Sequence, residues 1–453
     1  MKLKIIWLSF DGLGFSVAYK LLQEGNEVRI GMVQDIKSLE NGKTEDAEDK
    51  KLRLQSYKGI LHVEDADKLL EEMATFENKD EWFVVCDFNN LWKYSEKCLK
   101  MGFTNGFFPT KADFDLESDR KAGKEIVEKH YPELTIGEVE EFKKAKDGID
   151  YINQSNDTHV LKGYDESADT VCPVDKVDYL AKLKLIKTLE KDPKYYESKG
   201  YILEKKIKDP CEITPEAQFY NGKLVMMTVD IESKPIAAGD EGKQTGCAQN
   251  LVMQLDQSSK LAKMAFPPYV FEQAKKHTGL FVWDASILFK DKPYFGEFCA
   301  NRWGWDSIQT EIAMCPSVTD YFKGLLAQKN PLKYKYGVAV RGFNDNKEKG
   351  EQEMNWMQET DKDTFIYDIK LDKEDKVTTG YWGIDLVVFT GAGNTIDEAL
   401  NKAHKAKDNF SFPNMIGRPK FDFSADYPTG IMKRYKYMQD KGLISNKTVL
   451  RLK

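Results

Sequence analysis

The amino-acid sequence predicts a protein of mixed α/β and α+β class that is divided into several domains. Its 453 residues are too many for one hydrophobic core, so we expect two to four domains. The chain begins in the order strand, glycine turn, helix, strand, which is typical of a Rossmann-like domain. From Thr158 onward strands predominate, and a clear helix follows near residue 396.

The Rossmann-like opening is predicted from strands at Lys2–Ser9 and Asn26–Met32, with a helical pattern between them. Gly12 and Gly14 lie at the turn, and only these two glycines of the G-x-G-x-x-G fingerprint are present. A tight strand-to-helix turn explains them without a ligand, while close approach of a substrate to the helix N-terminus is the alternative. Trp82–Phe88 predicts a further buried, parallel strand that contains Asp87 near its end.

The rest of the chain alternates between charged helices and apolar strands. A helix is predicted over Asp113–His130, and the lysine-rich segment 176–199 predicts exposed helix with loops. Thr395 and Glu398 have the spacing of a capping box at the start of the later helix. That helix has one apolar face, formed by Ile396, Ala399, Leu400, Ala403 and Phe410. The remaining strands are predicted at 159–164, 201–207, 222–232, 336–342, 365–371 and 381–389.

The segment Phe281–Asp306 predicts a β-hairpin with two acidic residues inside apolar strands. Burying Asp284 or Glu297 alone would cost several kcal/mol, and a bound cation would remove that cost. Oxygen ligands on neighbouring strands, with Asn301 and Arg302 beyond them, suit Mg²⁺ holding a polyphosphate. The alternative is that both acids face solvent.

Composition excludes several classes of protein. Hydrophobic residues make up 41% of the chain and aromatic residues 12%, which favours a well-packed globular protein. The net charge of −7, with both signs mixed, argues against a general nucleic-acid binder, and no apolar run is long enough to span a membrane. The seven cysteines lack C-x-x-C spacing and the five histidines lack H-x-x-x-H spacing. We therefore expect a reducing compartment and chemistry carried by carboxylates, lysines and arginines.

Basic residues occur where a phosphate could be bound. Arg120 and Lys121 follow the Pro-Thr-Lys break, and Lys162 closes an apolar strand, so the three could hold a triphosphate. Lys162 could instead extend to solvent, as lysines at strand ends commonly do. Glu204 and Glu212, around the strand at 201–207, could serve an adenine and a ribose, and an ordinary amphipathic strand would have the same pattern.

The order of these segments resembles that of the ATP-grasp ligases, and over nearly the full length it resembles the phosphoribosylamine–glycine ligase family. The resemblance lies in five segments, FFPTKADFDLESDRKAGKEI, HVLKG, YILEKKIKDPCE, GEFCANRWGWD and VFTGAGNTIDEALNKAHKAKDNFSFPNM. It implies a Rossmann-like domain at 1–108, a two-lobed ATP-grasp domain at 109–330 and a β-rich domain at 331–423, followed by a tail at 424–453. The nucleotide-binding lid would cover about 150–210.

The resemblance also implies roles for individual residues. Lys162 and Arg302 would be catalytic, and ATP would be bound by Arg120, Lys162, Glu204, Ile207 and Glu212. One or two Mg²⁺ (or Mn²⁺) ions would be held by Asp284, Glu297 and Asn301. The amine and carboxylate substrates would meet Gly12, Gly14, Thr245, Gly246 and Asp306.

Three departures from the family pattern bear on specificity. Phe15-Ser16-Val17 replaces an Arg-Glu-His run that helps to bind phosphoribosylamine. The acidic stretch 164–169 replaces a glycine-rich loop, and Cys299 replaces the metal-binding asparagine, which Asn301 would restore through a β-bulge.

Two functions therefore stay open. The first is an ATP-dependent carboxylate–amine ligase of purine biosynthesis or with an altered substrate. The second is a catalytically silent relative that binds nucleotide or other proteins. We expect small-molecule amine and amino-acid partners, no nucleic acid, no membrane, a monomer or weak homo-oligomer, and a cytoplasmic location.

Overall fold

The fold is taken from a computed structural model. It describes residues 2–36, 39, 47–163, 170–173, 177–299, 303, 306–344, 352–354, 363–367, 369–374, 376–379, 385–410, 412, 414–424, 426 and 430–444. No helix in these ranges is both long and apolar enough to cross a bilayer.

The N-terminal region is a parallel sheet with helices packed against it, as predicted. Its elements are β1 (Lys4–Ser9), α1 (Phe15–Gln23), β2 (Glu27–Met32), α2 (Ala47–Arg53), β3 (Val63–Asp65), α3 (Ala66–Met73), β4 (Trp82–Cys86), α4 (Trp92–Lys100) and β5 (Gly106–Phe107). The strand order is β5-β4-β1-β2-β3. Gly12 has a φ of +82°, which a side chain would disfavour, so the turn after β1 needs this glycine for its conformation.

The predicted helix at Asp113–His130 is divided into α5 (Lys111–Ser118) and α6 (Arg120–His130). Asp119 has φ −96° and ψ 87°, which ends α5, and its carboxylate caps α6 by accepting from the N–H groups of Lys121 and Ala122. The break places Arg120 at the first turn of α6, with Lys124 one turn later.

A small three-stranded antiparallel sheet with its own helices follows, and we call this unit the lid. It contains β6 (Val139–Phe142), α7 (Ala145–Gln154), β7 (His159–Gly163), α8 (Asp178–Lys191), α9 (Pro193–Lys199) and β8 (Tyr201–Lys205), in the strand order β6-β8-β7. Buried Ile152 of α7 and Leu185 and Leu189 of α8 pack with Leu161 of β7 and join the two longer helices to the sheet.

The centre of the molecule is an antiparallel sheet with two chemically different faces. It is formed by β9 (Cys211–Tyr220), β10 (Lys223–Ala237), β11 (Glu241–Gln254), β12 (Leu280–Phe289) and β13 (Pro293–Phe298), with α10 (Lys260–Ala265) and α11 (Pro268–Ala274) between β11 and β12. Side chains alternate between the two faces of each strand. The apolar face, which includes Ile213, Val229 and Trp283, packs against α10 and α11.

The remaining elements extend and cover this sheet. They are α12 (Asp306–Met314), α13 (Val318–Leu326), β14 (Tyr336–Asn344), β15 (Thr364–Ile366), β16 (Ile369–Leu371), β17 (Val377–Thr379), β18 (Asp385–Gly393), α14 (Ile396–Asp408), β19 (Met415–Ile416), α15 (Lys420–Phe423) and α16 (Ile431–Asp440). β14 pairs with β11, and β12 meets β5 at Leu280 and Phe107, so fourteen strands form one sheet.

Two details of the C-terminal third refine the expectations. The predicted apolar face of α14 is buried, and Thr395 accepts a hydrogen bond from the Glu398 N–H, while the Glu398 carboxylate bonds the N–H of Asn394. Within the expected polar tail, α16 packs on β9 and β10 and buries Tyr435 and Met438. Its Arg434 donates to the carbonyl oxygens of Glu212 (3.0 Å) and Glu232 (2.6 Å).

Candidate functional site

The second face of the central sheet is polar, and its side chains are buried or half-buried. Every second residue on β9 and β10 contributes to it, namely Glu212, Thr214, Glu216, Gln218, Thr228, Asp230, Glu232 and Lys234. On β12 the residue opposite Glu216 is Asp284. Helix α12 covers this face with the fully buried side chains of Gln309, Thr310 and Glu311.

Glu216, Glu311 and Asp284 form what we call the acidic face. The Gln218 amide donates to Glu216 (2.6 Å) and Glu311 (2.6 Å), and the Thr228 hydroxyl donates to Glu311 (2.6 Å). Burial raises the pKa of Glu216 to about 7. Burial, followed by the charge of Glu216, raises the pKa of Glu311 well above its ordinary value. Both carboxyl groups therefore hold a proton more tightly than a carboxyl group in water does.

Asp284 lies at the edge of the same group. Its Oδ1 atom is buried and has no hydrogen-bond partner among the described residues. Burial raises its pKa, and the charges of Glu216, Glu232, Asp230 and Glu117 raise it further. An orphaned carboxylate oxygen surrounded by other acids is the kind of environment that a cation would stabilise.

A second set of charged side chains joins the lid to α6. Glu204 on β8 lies 3.1 Å from Lys162 Nζ on β7 and 3.4 Å from Lys124 Nζ on α6. Burial alone would raise the pKa of Glu204, but the charges of Lys162 and Lys124 outweigh it and the net shift is downward. Burial lowers the pKa of Lys124, and Lys162 and Arg120 add to that effect against the opposing charge of Glu204.

The set continues from α6 to the central sheet. Arg120 lies 3.8 Å from one Glu297 oxygen, and Lys234 lies 3.8 Å from the other. Lys234 also contacts Glu212 at 2.9 Å, and the charge of Glu212 is the largest cause that raises its pKa. We call the seven side chains from Lys162 to Glu212 the ion-pair chain. It connects the lid with β9, β10 and β13.

The structure thus brings together most of the residues expected to bind a nucleotide. Lys162, Glu204, Arg120 and Glu212 all belong to the ion-pair chain, and Ile207 follows β8, half-buried. A cavity of about 340 Å³ lies beside the chain, lined by Arg120, Lys121 and Lys124 of α6 and by Val139, Glu141 and Ile202 of the lid. Glu125 and Glu128 of α6 line it as well, so an elongated anionic ligand would meet both cationic and acidic side chains on the α6 side of this space.

The predicted metal residues lie on the same hairpin but have different neighbours. One extra residue in β13, at Gly296–Glu297, bulges opposite Ser286, whose hydroxyl accepts from the Glu297 N–H at 3.0 Å. Glu297 therefore belongs to the ion-pair chain, and Asp284 to the acidic face. Among the described residues no three His, Cys, Asp or Glu side chains could hold a metal ion together. Asn301 and Arg302 lie outside the described residues.

The residues expected to meet the substrates are dispersed. Gly14 begins α1, and a Cβ there would lie 2.4 Å from the Trp7 indole, so packing accounts for this glycine. Thr245 donates to the carbonyl of Lys234 at 2.7 Å, and Gly246 is exposed on the same strand. Asp306 is the first residue of α12.

Four residues of the site were not predicted from the sequence: Lys124, Lys234, Glu216 and Glu311. Lys124 lies four residues after Arg120, which places both on one side of a helix. Lys234 and Glu216 follow the period-2 alternation of polar residues along β10 and β9, a signal that was available. Glu311 lies on α12, which mixes polar and apolar residues, and its contacts with Gln218 and Thr228 depend on the tertiary structure.

No protein-family model matches this sequence, and no curated protein matches it either. Solved structures do match. A phosphoribosylamine–glycine ligase from Thermotoga maritima is 17% identical with a TM-score of 0.63, over 92% of this chain and 99% of that one. A biotin carboxylase from Campylobacter jejuni, in complex with β,γ-ATP, is 11% identical with a TM-score of 0.58, over 96% and 99%.

A third structure is the biotin carboxylase domain of a 2-oxoglutarate carboxylase from Hydrogenobacter thermophilus, in complex with MgADP, ADP and bicarbonate. It is 10% identical, with a TM-score of 0.53 over 92% of both chains. These likenesses confirm the expected α/β and α+β architecture and the resemblance to ATP-grasp enzymes at the level of the fold.

Proposed function

We propose that this chain is an ATP-dependent carboxylate–amine ligase. The observation that carries the proposal is the ion-pair chain. Lys162 of the lid and Lys124 of α6 both contact Glu204 of the lid, and Arg120 of α6 lies beside Glu297 of the central sheet. This arrangement occurs in a fold shared with structures crystallised with MgADP and with β,γ-ATP. Cations and carboxylates in this order suit a nucleotide phosphate and the metal that accompanies it.

In this proposal Lys162, Lys124 and Arg120 hold the phosphate groups. In the structure Glu204 neutralises Lys162 and Lys124, so on binding of a triphosphate these two lysines would exchange a carboxylate partner for a phosphate partner. The end of β8, with Glu204 and Ile207, would lie against the adenine, and Glu212 would bind the ribose hydroxyls.

The metal would be held by Asp284, Glu297 and Asn301. The orphaned Oδ1 of Asp284 fits this role, because burial and neighbouring acids leave it without a compensating charge. Mg²⁺ typically uses one or two carboxylates together with phosphate oxygens and water, so a cluster of three protein acids is not required. When bound, the metal (Mg²⁺ or Mn²⁺) would offset the negative charge of the phosphates.

The reaction would proceed in two steps. A substrate carboxylate attacks the γ-phosphorus of ATP, the bond to the β–γ bridging oxygen breaks, and ADP leaves behind an acyl phosphate. An amine then attacks the acyl carbon, phosphate leaves and the amine loses a proton, which completes the amide. Arg302 would orient the carboxylate, and Thr245, Gly246 and Asp306 would line the substrate pocket. This is catalysis by positioning and charge stabilisation.

A binding experiment tests the nucleotide part of the proposal. Lys162→Ala should weaken MgADP binding at least about tenfold, because a buried cation beside the phosphates is lost. Lys205→Ala is the matched control, since Lys205 is on the neighbouring lid strand but pairs with Glu138 and Asp157 near the surface. Calorimetric titration of both variants measures this. Equal affinities, or no binding to the wild type, would refute the proposed nucleotide site.

Turnover separates a ligase from a catalytically silent relative. The silent alternative is favoured by one observation, namely that the cations of the site are already paired with carboxylates. Phosphate release from MgATP is measured with amino-acid and amine mixtures, phosphoribosylamine included, for the wild type and Glu297→Gln. If the chain is a ligase, the wild type releases phosphate and Glu297→Gln does not. MgADP binding without any phosphate release supports the silent relative.

A further inference from the structure

The strand order of the N-terminal sheet reverses at β1, and we call the space outside the carboxyl ends of β1 and β4 the crevice. From β1 the chain proceeds to β2 on one side and later to β4 on the other, and β1 pairs in parallel with both. In open sheets of this kind, ligands bind outside the carboxyl ends of the two strands at such a switch point. The residues that follow β1 and β4 therefore decide what this crevice can hold.

Two buried carboxyl groups occupy those positions. Asp11 follows β1 and is 7% exposed, and Asp87 follows β4 and is 1% exposed. The Trp7 indole donates to Asp87 Oδ2 at 2.9 Å. The other carboxylate oxygen, Oδ1, is buried and has no hydrogen-bond partner among the described residues. Burial and then the charge of Asp11 raise the pKa of Asp87, against the opposing donors Trp7, Ser9 and Gly14.

Among the described residues, little positive charge is available to balance these carboxyl groups. The first turn of α1, Phe15-Ser16-Val17, contains no basic residue. Arg53 is the nearby cation that lowers the pKa of Asp11, and burial outweighs it. The Arg53 guanidinium donates to the backbone carbonyls of Phe10 (2.5 Å) and Val33 (2.8 Å). A phosphate dianion placed here would meet two acids.

The crevice is connected to the proposed reaction site. The backbone N–H of Trp303 donates to the backbone carbonyl of Asp87 at 2.9 Å, which joins Trp303, in the segment after β13, to the end of β4. The Asn89 amide donates to Glu117 at 2.8 Å, and Glu117 is one of the acids that raise the pKa of Asp284. A substrate in the crevice would therefore lie near the hairpin that carries Asp284 and Glu297.

We propose that Asp11 and Asp87 bind the amine substrate as an ammonium ion, which passes one proton to a carboxylate of this pair before the free amine attacks the acyl phosphate, and that this substrate carries no phosphate group. The inference rests on the proposed ligase function and adds the chemical class of its amine. It excludes phosphoribosylamine as the preferred substrate, because the crevice offers negative charge where a phosphorylated amine would need positive charge.

The test compares amines in matched pairs that differ only by a phosphate group. Ethanolamine is compared with phosphoethanolamine, and glucosamine with glucosamine 6-phosphate, with phosphoribosylamine assayed alone. Phosphate release from MgATP is measured with an amino-acid mixture. We expect an unphosphorylated amine to give a kcat/KM at least about tenfold above that of its phosphorylated partner. The inference is overturned if a phosphorylated amine is preferred or if neither member of a pair is preferred. It is also overturned if none of these amines supports phosphate release.

Substitutions then assign the preference to the two carboxyl groups. Asp87→Asn should reduce the ratio of the two kcat/KM values at least about tenfold, since it removes the charge and keeps the shape. Asp11→Asn is the second variant if the first does not fold, as judged by thermal melting. A purely structural role would lower both rates equally and leave the ratio unchanged. MgADP titration of the same proteins keeps the outcomes distinct, because intact nucleotide binding without the amine preference removes only this inference.

Discussion

The ion-pair chain joins the lid and α6 to β9, β10 and β13, and the acidic face is formed by β9, β12 and α12, but the charges of the two regions are balanced differently. In the ion-pair chain each carboxylate contacts a lysine or arginine within 3.8 Å. In the acidic face, burial and other acids raise the pKa values, and no described lysine or arginine pairs with Glu216, Glu311 or Asp284. The first region is neutralised by its own side chains, whereas the second depends on protons or on an added cation.

The largest effect is expected from removing the central acid of the acidic face. Glu311→Ala leaves the Gln218 and Thr228 donors without an acceptor and creates a cavity, which should lower the free energy of unfolding by about 3 kcal/mol. Relief of its repulsion with Glu216 offsets part of this cost. Urea unfolding measures the change. The control is Glu272→Ala on the surface, expected to cost under about 0.5 kcal/mol, and equal effects would contradict a structural role for Glu311.

The pH dependence of stability tests whether protons balance the acidic face. The pKa of Glu216 rises from an ordinary 4.5 to about 7 on folding, so the folded state binds the proton more tightly. Its contribution is therefore fully present below pH 4.5 and is lost as the pH rises through about 7. The loss should be about 3 kcal/mol in the wild type. Glu216→Gln should show a smaller slope between pH 5 and 8 in urea unfolding. An unchanged slope would show that other groups cause it.

Added magnesium should replace the protons at higher pH. At pH 8 Glu216, whose pKa is about 7, is mostly ionised, and Mg²⁺ at about ten times its dissociation constant should stabilise the wild type by ~1.4 kcal/mol. Asp284→Asn should lose this increment, because its orphaned oxygen is the proposed ligand. Thermal melting with MgCl₂, against NaCl of equal ionic strength, measures it. The same increment in the variant would remove Asp284 from the metal site.

Local sequence patterns predicted the hairpin of the site but not the break between α5 and α6. The hairpin that carries Asp284 and Glu297 was predicted correctly, because period-2 alternation and a Lys-Pro turn are local signals. The break at Asp119 was missed. An aspartate that caps one helix while ending another differs little in sequence from a surface residue.

Partners across the fold could not be predicted in the same way. The contacts of Glu204 with Lys124 and of Glu297 with Lys234 join residues that are distant in the chain, so no local pattern encodes them. The resemblance to ATP-grasp ligases supplied Lys162, Glu204 and Arg120, which the structure places in one chain of contacts. It did not supply Lys234 or Glu311. Asn301 and Arg302 stay predictions.

The smallest effect is expected from breaking the ion-pair chain at Lys234, because its partners are partly exposed to water. Lys234→Met removes the cation between Glu212 and Glu297, and the side chain is 29% exposed, so solvent screening should limit the cost to about 1 kcal/mol. Lys205→Met, at 40% exposure, is the control and should cost less. Urea unfolding at low and high salt measures both. Screening predicts that high salt narrows the difference between Lys234→Met and the wild type. If Lys234→Met lowered the free energy of unfolding as much as Glu311→Ala does, solvent would not screen the ion-pair chain, and the two regions would contribute equally to stability.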